Sequence, residues 1–298
     1  MKRFLDISLF NTFNNTNYLF LHNNEYVSSN TNVKSLEISE SIDLTIYHLI
    51  DCDCDINYNF KENVNVNITE VNHYVGCVNI NKNITLNSSS NVNLVTIENS
   101  SENSKICVNV KTIVLEKAYI NNKKLAIYKS EASFLENVYL NGIKSNHESL
   151  NVFVNNSCSS QRFDLNTIHN AVDSVSTMQN FGICKGKSVL DINTNGIVSR
   201  GASRSNLNQK SKGILLDQDA TISANPWLQI DDYDCLASHG AGIGAIDEEE
   251  LYYLMSRGLT ELESSKLIIN GFINPVYEEI NNQELKEALI KLDIINNK

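Results

Sequence analysis

The sequence lacks the features of membrane-spanning and secreted proteins. No apolar run approaches the roughly 20 residues that a membrane-spanning helix needs. The stretch MKRFLDISLF starts with positive charge, but Asp6 interrupts its apolar part, so we expect no signal peptide. Proline is nearly absent, with two in 298 residues, and the single tryptophan, Trp227, follows one of them. We therefore predict a soluble protein with no membrane partner.

Positive charge is also scarce. Lys and Arg number 24 against 35 Asp and Glu, which gives a net charge of −11. Because phosphate binding depends on clustered Lys and Arg, nucleic acid is not an expected partner. The densest basic patch comprises Arg200, Arg204, Lys210 and Lys212, and it is the one place where a phosphate or an acidic partner could bind. We interpret this patch as a solvated loop.

Cysteine is present, but not in a pattern that indicates disulfides or zinc. The seven cysteines are odd in number and include no C-x-x-C pair. Free thiols are typical of the cytosol, so a cytoplasmic location is expected. The run Asp51-Cys52-Asp53-Cys54-Asp55 resembles part of a calcium loop, but Ile56 replaces the required glycine. A strand with its thiols on one face and its carboxylates on the other is the simpler interpretation.

Apolar and polar residues alternate from about residue 63 to residue 230, as in Val64, Val66 and Ile68. This period of two places the apolar side chains on one face of each short strand. The pattern fits a β-sandwich or a β-solenoid with about 20 residues per coil. Asparagines stacked in a solenoid interior would form hydrogen-bonded ladders. Residues 1–60 give no pattern that defines their structure.

The apolar period changes to three and four after Asp247, which predicts a small helical region over 246–298. Asp247 is a suitable N-cap with Glu250 three residues later, and Gly258 is a suitable stop. Thr260 and Glu263 repeat this capping box, and Pro275 is expected to bend or end the second helix. The expected buried stripes contain Leu251, Leu254 and Met255, then Leu262, Ile269, Phe272, Ile273 and Val276, then Leu285, Ala288, Leu289 and Leu292.

Three segments near the change of period carry a family resemblance. ANPWLQI (224–230), ASHGAGIG (237–244) and IDEEELYYLMSRG (246–258) resemble the C-terminal signature of the SufB/SufD family of iron–sulfur cluster assembly scaffolds. The S-H-G-A form is similar to the SufD branch, because the SufB branch usually has H-E-A there. The resemblance is dense from about residue 166 to residue 280. It implies that 61–245 is a right-handed parallel β-helix core, followed by the helical region.

The resemblance also implies site residues. His239 matches the SufD histidine at the interface with the SufB partner, where a nascent cluster is assembled. The alternative is that His239 caps the last coil or the following helix. Cys235 is a weaker metal-ligand candidate, because the SufD thiol often stands at the position of Ala237. The residues implied in docking a SufC-like ATPase are Asp247, Glu248, Glu249, Leu251, Tyr252 and Arg257.

The function implied by the resemblance is that of a non-catalytic scaffold, which pairs with a SufB-like protomer or with a second copy of itself. The segment 219–225 has no cysteine, whereas the SufB branch carries an essential one there. Any iron–sulfur cluster would be held transiently in the complex, with no cofactor bound stably by this chain alone, and ATP would act only through the partner. The alternative is a cytosolic β-solenoid that binds or acts on carbohydrate, although a single tryptophan offers little for sugar stacking.

Overall fold

The computed structural model describes residues 18–22, 25–26, 35–156, 158–281 and 283–291. The elements in these ranges are strands followed by three helices. The strands are β1 (Tyr18–His22), β2 (Glu25–Tyr26), β3 (Ser35–Ile38), β4 (Ile42–Ile50), β5 (Cys54–Phe60), β6 (Asn65–Tyr74), β7 (Cys77–Leu86), β8 (Asn91–Ser100), β9 (Lys105–Val114), β10 (Tyr119–Ile127), β11 (Glu131–Leu140), β12 (Asn146–Asn155), β13 (Ser160–His169), β14 (Val175–Cys184), β15 (Val189–Val198), β16 (Ser205–Leu215), β17 (Thr221–Ile230) and β18 (Cys235–Ala245). The helices are α1 (Glu248–Ser256), α2 (Glu261–Glu278) and α3 (Gln283–Lys291).

Successive strands alternate between two sheets. The even-numbered strands from β4 to β18, with β1 and β2, form a ten-stranded sheet, and the odd-numbered strands from β3 to β17 form an eight-stranded sheet. Apart from the antiparallel pair β1–β2, each strand pairs in parallel with its neighbour from the adjacent coil. The chain is therefore a parallel β-helix in which each coil contributes one strand to each sheet, as predicted.

The coils are longer than the expected value of about 20 residues. Asn81 hydrogen-bonds Asp55 across 26 positions of sequence, and Arg204 bonds Asp173 across 31. Two strands of about ten residues and two corners account for this length, so the spacing between apolar runs reflects half a coil. The coils also begin before residue 61, because β4 and β5 pair in register with β6 and β7. The rest of the predicted N-terminal region, 1–60, lies partly outside the described residues.

The space between the two sheets is filled mainly by the inward-facing apolar residues of each alternating run. Phe153 and Phe163 stack in it with their ring centroids 3.8 Å apart, and Tyr128 lies 6.3 Å from Phe163. Ile68, Ile80 and Leu94 belong to the same buried cluster. The sequence pattern predicts this core because a period of two sends every second side chain inward.

Asparagine ladders form between coils, but mainly on the outer faces and not in the interior. Asn67 donates to Asp43 at 2.6 Å, and Asn93 donates to Asn67 at 2.8 Å. These asparagines alternate with inward valines and isoleucines, so they have to face outward. The pair Asn151–Asn180, at 2.9 Å, is the buried exception to this rule among the described asparagine pairs.

The helical region packs on the outer face of the ten-stranded sheet. Ile269, Ile273 and Val276 of α2 share a buried cluster with Leu125 and Val152 of the sheet. Pro275 lies inside α2 and does not end it, and Leu262 is 56% exposed instead of buried. Leu285 and Leu289 of α3 are buried, while Leu292 lies outside the described residues. None of the described helices combines the length and apolar character needed to cross a bilayer.

Candidate functional site

The last strand, β18, is the edge of the ten-stranded sheet. It pairs with β16 on one side, from Ser205–Cys235 to Leu215–Ala245. All but the first of its 11 residues are exposed. Its sequence, CLASHGAGIGA, contains no Lys, Arg, Asp, Glu or Pro. Solvent-facing edges usually carry charge, proline or bulges that prevent further pairing, so this edge is built without the common protection.

His239 lies in the middle of this edge strand and is exposed. It is in register with Gln209 of β16, and Gln209 is buried in the solenoid interior. Because paired residues of parallel strands share a face, the imidazole is on the inward face of the final coil, at its open end. The side chain is therefore exposed and is not sealed in the solenoid interior. The exposed ring leaves its nitrogen atoms accessible to a ligand or to another subunit.

Cys235 does not stand beside His239. Four residues separate them on a regular strand, which corresponds to about 13 Å along the strand at ~3.3 Å per residue. Burial, followed by the charges of Asp232 and Asp234, raises the pKa of the Cys235 thiol above its ordinary value. A raised pKa lowers the fraction of thiolate, which is the form that ligates metals. The two candidates therefore cannot hold one metal ion together within this chain.

A larger grouping of metal-binding side chains is also missing from the described residues. No three His, Cys, Asp or Glu side chains there are arranged to hold a metal ion. Cys52 is exposed and Cys54 is half-buried, and burial raises the pKa of Cys54 to about 12. The flanking Asp53 and Asp55 accept hydrogen bonds from Asn79 and Asn81 of the next coil. These carboxylates therefore belong to the outer ladders.

An open cleft of about 770 Å³ runs along β16 and β18 and reaches the start of the helical region. Its lining includes His239, the exposed Lys210 and Lys212, and Asp247 and Glu250. Lys212 also lies 5.0 Å from the ring centroid of Phe272. The two lysines were expected in a solvated loop, whereas they lie on strand β16, which is adjacent to the strand that carries His239. Only the register between β16 and β18 reveals this proximity.

The other two residues of the basic patch point elsewhere. Arg204 forms a two-pronged ion pair with Asp173 of the preceding coil, at 2.7 and 2.9 Å. Arg200 is exposed in the corner between β15 and β16. The four basic residues thus do not converge on one phosphate-sized site.

Helix α1 follows β18 almost immediately and has no buried residue. Asp247 caps it by accepting a hydrogen bond from the backbone N–H of Glu249 at 2.8 Å. Gly258, with φ of +99°, follows the end of helix α1, as predicted. The remaining docking candidates are also accessible: Tyr252 is 76% exposed, Leu251 is half-buried, and Glu248 and Arg257 are exposed. Such an amphipathic helix with an unburied apolar face is typical of a binding element.

Comparison with known proteins agrees with this architecture. The family model described as "SUF system FeS cluster assembly, SufBD core domain" matches residues 48–272. The chain is 35% identical over 132 residues to the iron–sulfur cluster assembly protein SufD of Bacillus subtilis, covering 44% of this chain and 30% of that protein. It is 37% identical over 105 residues to a SufBD family protein of Pyrococcus horikoshii, covering 33% and 23%, and 33% identical over 102 residues to protein ABCI7, chloroplastic, of Arabidopsis thaliana, covering 34% and 21%.

The matched segments span less than a third of the length of each of these relatives. The family model, in contrast, covers most of the coils described above, together with α1 and most of α2. That extent is enough to assign the family, and the resemblance to the SufD branch agrees with it. This chain belongs to the SufBD family of iron–sulfur cluster assembly proteins.

Proposed function

We propose that this protein is a non-catalytic scaffold subunit that pairs through β18 with a SufB-like protomer and docks a SufC-like ATPase through its helical region. The observation that carries the proposal is the unprotected edge strand with an exposed histidine at its centre. The proposal extends the family assignment to a specific geometry of assembly.

The free edge of β18 favours pairing with a strand of another chain. Strand β18 offers the backbone N–H and C=O groups of its free side to another strand. Adding a partner strand would satisfy these groups and continue the sheet. Nearby, Leu236 is 70% exposed and Trp227 of β17 is 71% exposed. Large apolar side chains at the rim of an open edge are typical of a surface that becomes covered.

The exposed histidine favours a role in binding iron. Imidazole nitrogen is a suitable iron ligand, and His239 presents an imidazole at the open end. Because no three His, Cys, Asp or Glu side chains of the described residues are grouped to hold a metal ion, a partner would have to complete the site. The cluster is then cargo that is assembled between two subunits. The role of this chain is to place one ligand and to exclude solvent around it.

The exposed face of α1 favours docking of the ATPase. Helix α1 exposes Tyr252, Tyr253 and Met255 by 76%, 56% and 44%. The three glutamates of its first turn add negative charge on the same short helix. An ATPase that bound α1 would act directly on the segment that joins β18 to α2. Movement of α1 would then reach His239 through a connection of few residues.

The test for the edge and for His239 is co-expression with a SufB-like and a SufC-like protein, followed by measurement of particle mass and of iron and sulfide. His239→Ala should assemble normally but yield less iron and sulfide in the complex. Ser238→Ala is the matched control, because it changes the adjacent exposed residue on the opposite face of β18. Equal iron yield from the two variants would reject a ligand role for His239. If the chain binds neither protein, the proposed scaffold function is rejected.

The test for docking uses α1 separately. Tyr252→Ala and the double reversal Glu248→Lys with Glu249→Lys should each weaken capture of the ATPase. Glu278→Lys, at an exposed position of α2, is the control for charge reversal. Capture that is equally strong for all four proteins, the unmodified chain included, would show that α1 is not the docking element.

A further inference from the structure

The interior of the middle coils contains a row of buried charged groups that the proposed function does not use. Glu70, Lys82, Glu98, Lys124 and Glu136 are each at most 6% exposed. They come from β6, β7, β8, β10 and β11, so they bridge the two sheets across the solenoid. Three are carboxyl groups and two are ammonium groups. The row would therefore carry an unbalanced negative charge if all five were ionised.

Two of the carboxylates have a cationic partner. Lys82 contacts Glu70 directly, and Lys124 lies 3.6 Å from Glu136. Lys124 also sits 3.5 Å from the ring centroid of Phe134, a contact that opposes the lowering of the Lys124 pKa by burial. Each lysine thus has its closest carboxylate contact with one glutamate. Burial would raise the pKa of Glu70, but the neighbouring Lys82 lowers it overall, so Glu70 is ionised.

The partners of Glu98 are neutral groups. Asn72 donates to Oε1 at 3.3 Å, and the hydroxyl of Tyr128 donates to Oε2 at 3.2 Å. The hydroxyl of Tyr74 also bonds this carboxyl group. None of the described ion pairs includes Glu98. An ionised carboxylate in this place would be buried without a countercharge, which is strongly unfavourable.

We propose that Glu98 is a proton-binding site inside the solenoid, and that it stays a neutral carboxylic acid at neutral pH. The row then holds two ion pairs and one neutral acid, and its charges balance. A protonated carboxyl group supplies one O–H donor. The buried amide oxygen of Asn72 can accept it.

A small cavity supports this description of the site. Its volume is about 20 Å³, and its lining includes Asn72, Lys82, Glu98, Asn122 and Lys124. A cavity needs about 10–15 Å³ to hold one water molecule. The side-chain oxygens of Asn72 and Asn122 are both buried acceptors without a partner. A water molecule in this cavity can donate hydrogen bonds to these oxygens and accept one from a lysine. An ionised carboxylate cannot donate a hydrogen bond to them.

The electrostatic surroundings of Glu98 favour protonation. Burial is the main effect and raises the pKa of Glu98, and Lys124 only partly opposes it. The titratable groups that face the row are Tyr58 on β5, Glu70 and Tyr74 on β6, Lys82 on β7, Lys124 and Tyr128 on β10, and Glu136 on β11, with His48 on β4 and His147 on β12 at its two ends. Burial lowers the pKa of both histidines to about 4, so neither adds positive charge at neutral pH.

The direction of the pH effect follows from this proton. A carboxylic acid whose pKa is raised in the folded protein stabilises the fold at low pH. This stabilisation is progressively lost as the pH rises above the pKa that the same group has in the unfolded chain. Relative to Glu98→Gln, the unfolding equilibrium constant of the unmodified chain should rise about tenfold per pH unit between about pH 5 and pH 7. Other groups titrate in both proteins, so the ratio isolates Glu98.

Infrared spectroscopy of the full chain tests the proposal. The spectrum of the unmodified protein minus that of Glu98→Gln, at neutral pH, should contain the carbonyl stretch of a protonated carboxylic acid, which shifts in deuterium oxide. Glu116→Gln is the control, because Glu116 is exposed and pairs with Lys117 at 3.2 Å. This variant should lose a carboxylate band instead. A missing acid band would overturn the proposal, and so would failure of the neutral, isosteric Glu98→Gln to fold.

Discussion

The attachment of α2 to the ten-stranded sheet predicts a large effect of Ile273→Ala. Ile273 is 1% exposed and lies in the cluster that joins α2 to Leu125 and Val152. Truncating a buried isoleucine costs about 2–5 kcal/mol, through lost burial and the cavity that remains. Leu267→Ala, on the same helix, is the matched control because Leu267 is 53% exposed. We expect a loss of about 3 kcal/mol for Ile273→Ala and less than about 1 kcal/mol for the control.

Amide hydrogen exchange is the suitable assay, because α2 can open while the coils stay folded. A loss of about 3 kcal/mol corresponds to exchange about a hundredfold faster in the amides of α2, since each 1.4 kcal/mol is a factor of ten. Amides of β7 and β9, far from the helix, should be unchanged. Equal exchange in the two variants would refute the packing of α2 on the sheet. Equal acceleration throughout the coils would refute the independence of the helical region.

The remaining predictions concern coil packing and acid stability. Gly142→Ala should lower the free energy of unfolding by about 3 kcal/mol or more, because the added carbon would lie 2.0 Å from the backbone nitrogen of Glu116. Gly240→Ala places its carbon in open space and should change stability by less than about 0.5 kcal/mol. Urea denaturation compares the two variants, and similar midpoints would contradict the close approach of the coils at Gly142. Burial lowers the pKa of His48, His147 and His169 from 6.5 to about 4, so the unfolded chain binds more protons in that window and stability should fall as pH drops through it, by about 1.4 kcal/mol per histidine per pH unit. His147→Gln should show a shallower fall in the same pH range, and an unchanged slope would argue that His147 is already charged.

The period of two predicted the strands, and the change of period at Asp247 predicted where the helices begin. This pattern could not predict the number of residues per coil. Alternation shows on which face of its strand a side chain lies, but not which other strand pairs with that strand. The same limit explains the asparagine ladders, which were expected in the interior although Asn65 and Asn67 alternate with inward Val66 and Ile68. The family resemblance, and not periodicity, decided between a sandwich and a β-helix.

Individual site residues show a similar limit. Sequence alone placed His239 in a run of small residues, but its register with Gln209 and its position on an unpaired edge depend on the whole stack. Lys210 and Lys212 line the same cleft as the histidine only because β16 and β18 are neighbours. The charged interior row is also hidden in the sequence, since Glu70, Lys82 and Glu98 occupy inward positions of strands that otherwise alternate normally. The sequence pattern shows which residues face inward, and only the pairing of the coils shows which charged residues lie next to one another.

The stacking of coils also sets how stability is distributed along the body. In a stacked repeat each unit is held by its immediate neighbours, so the terminal unit frays first unless a polar cap ends the array. Strand β18 pairs with one neighbour, β16, and none of its 11 residues is charged. The free chain is therefore expected to open first at the β18 end of its stack. If β18 pairs with a second subunit as proposed, balanced synthesis of the two subunits would keep this end covered.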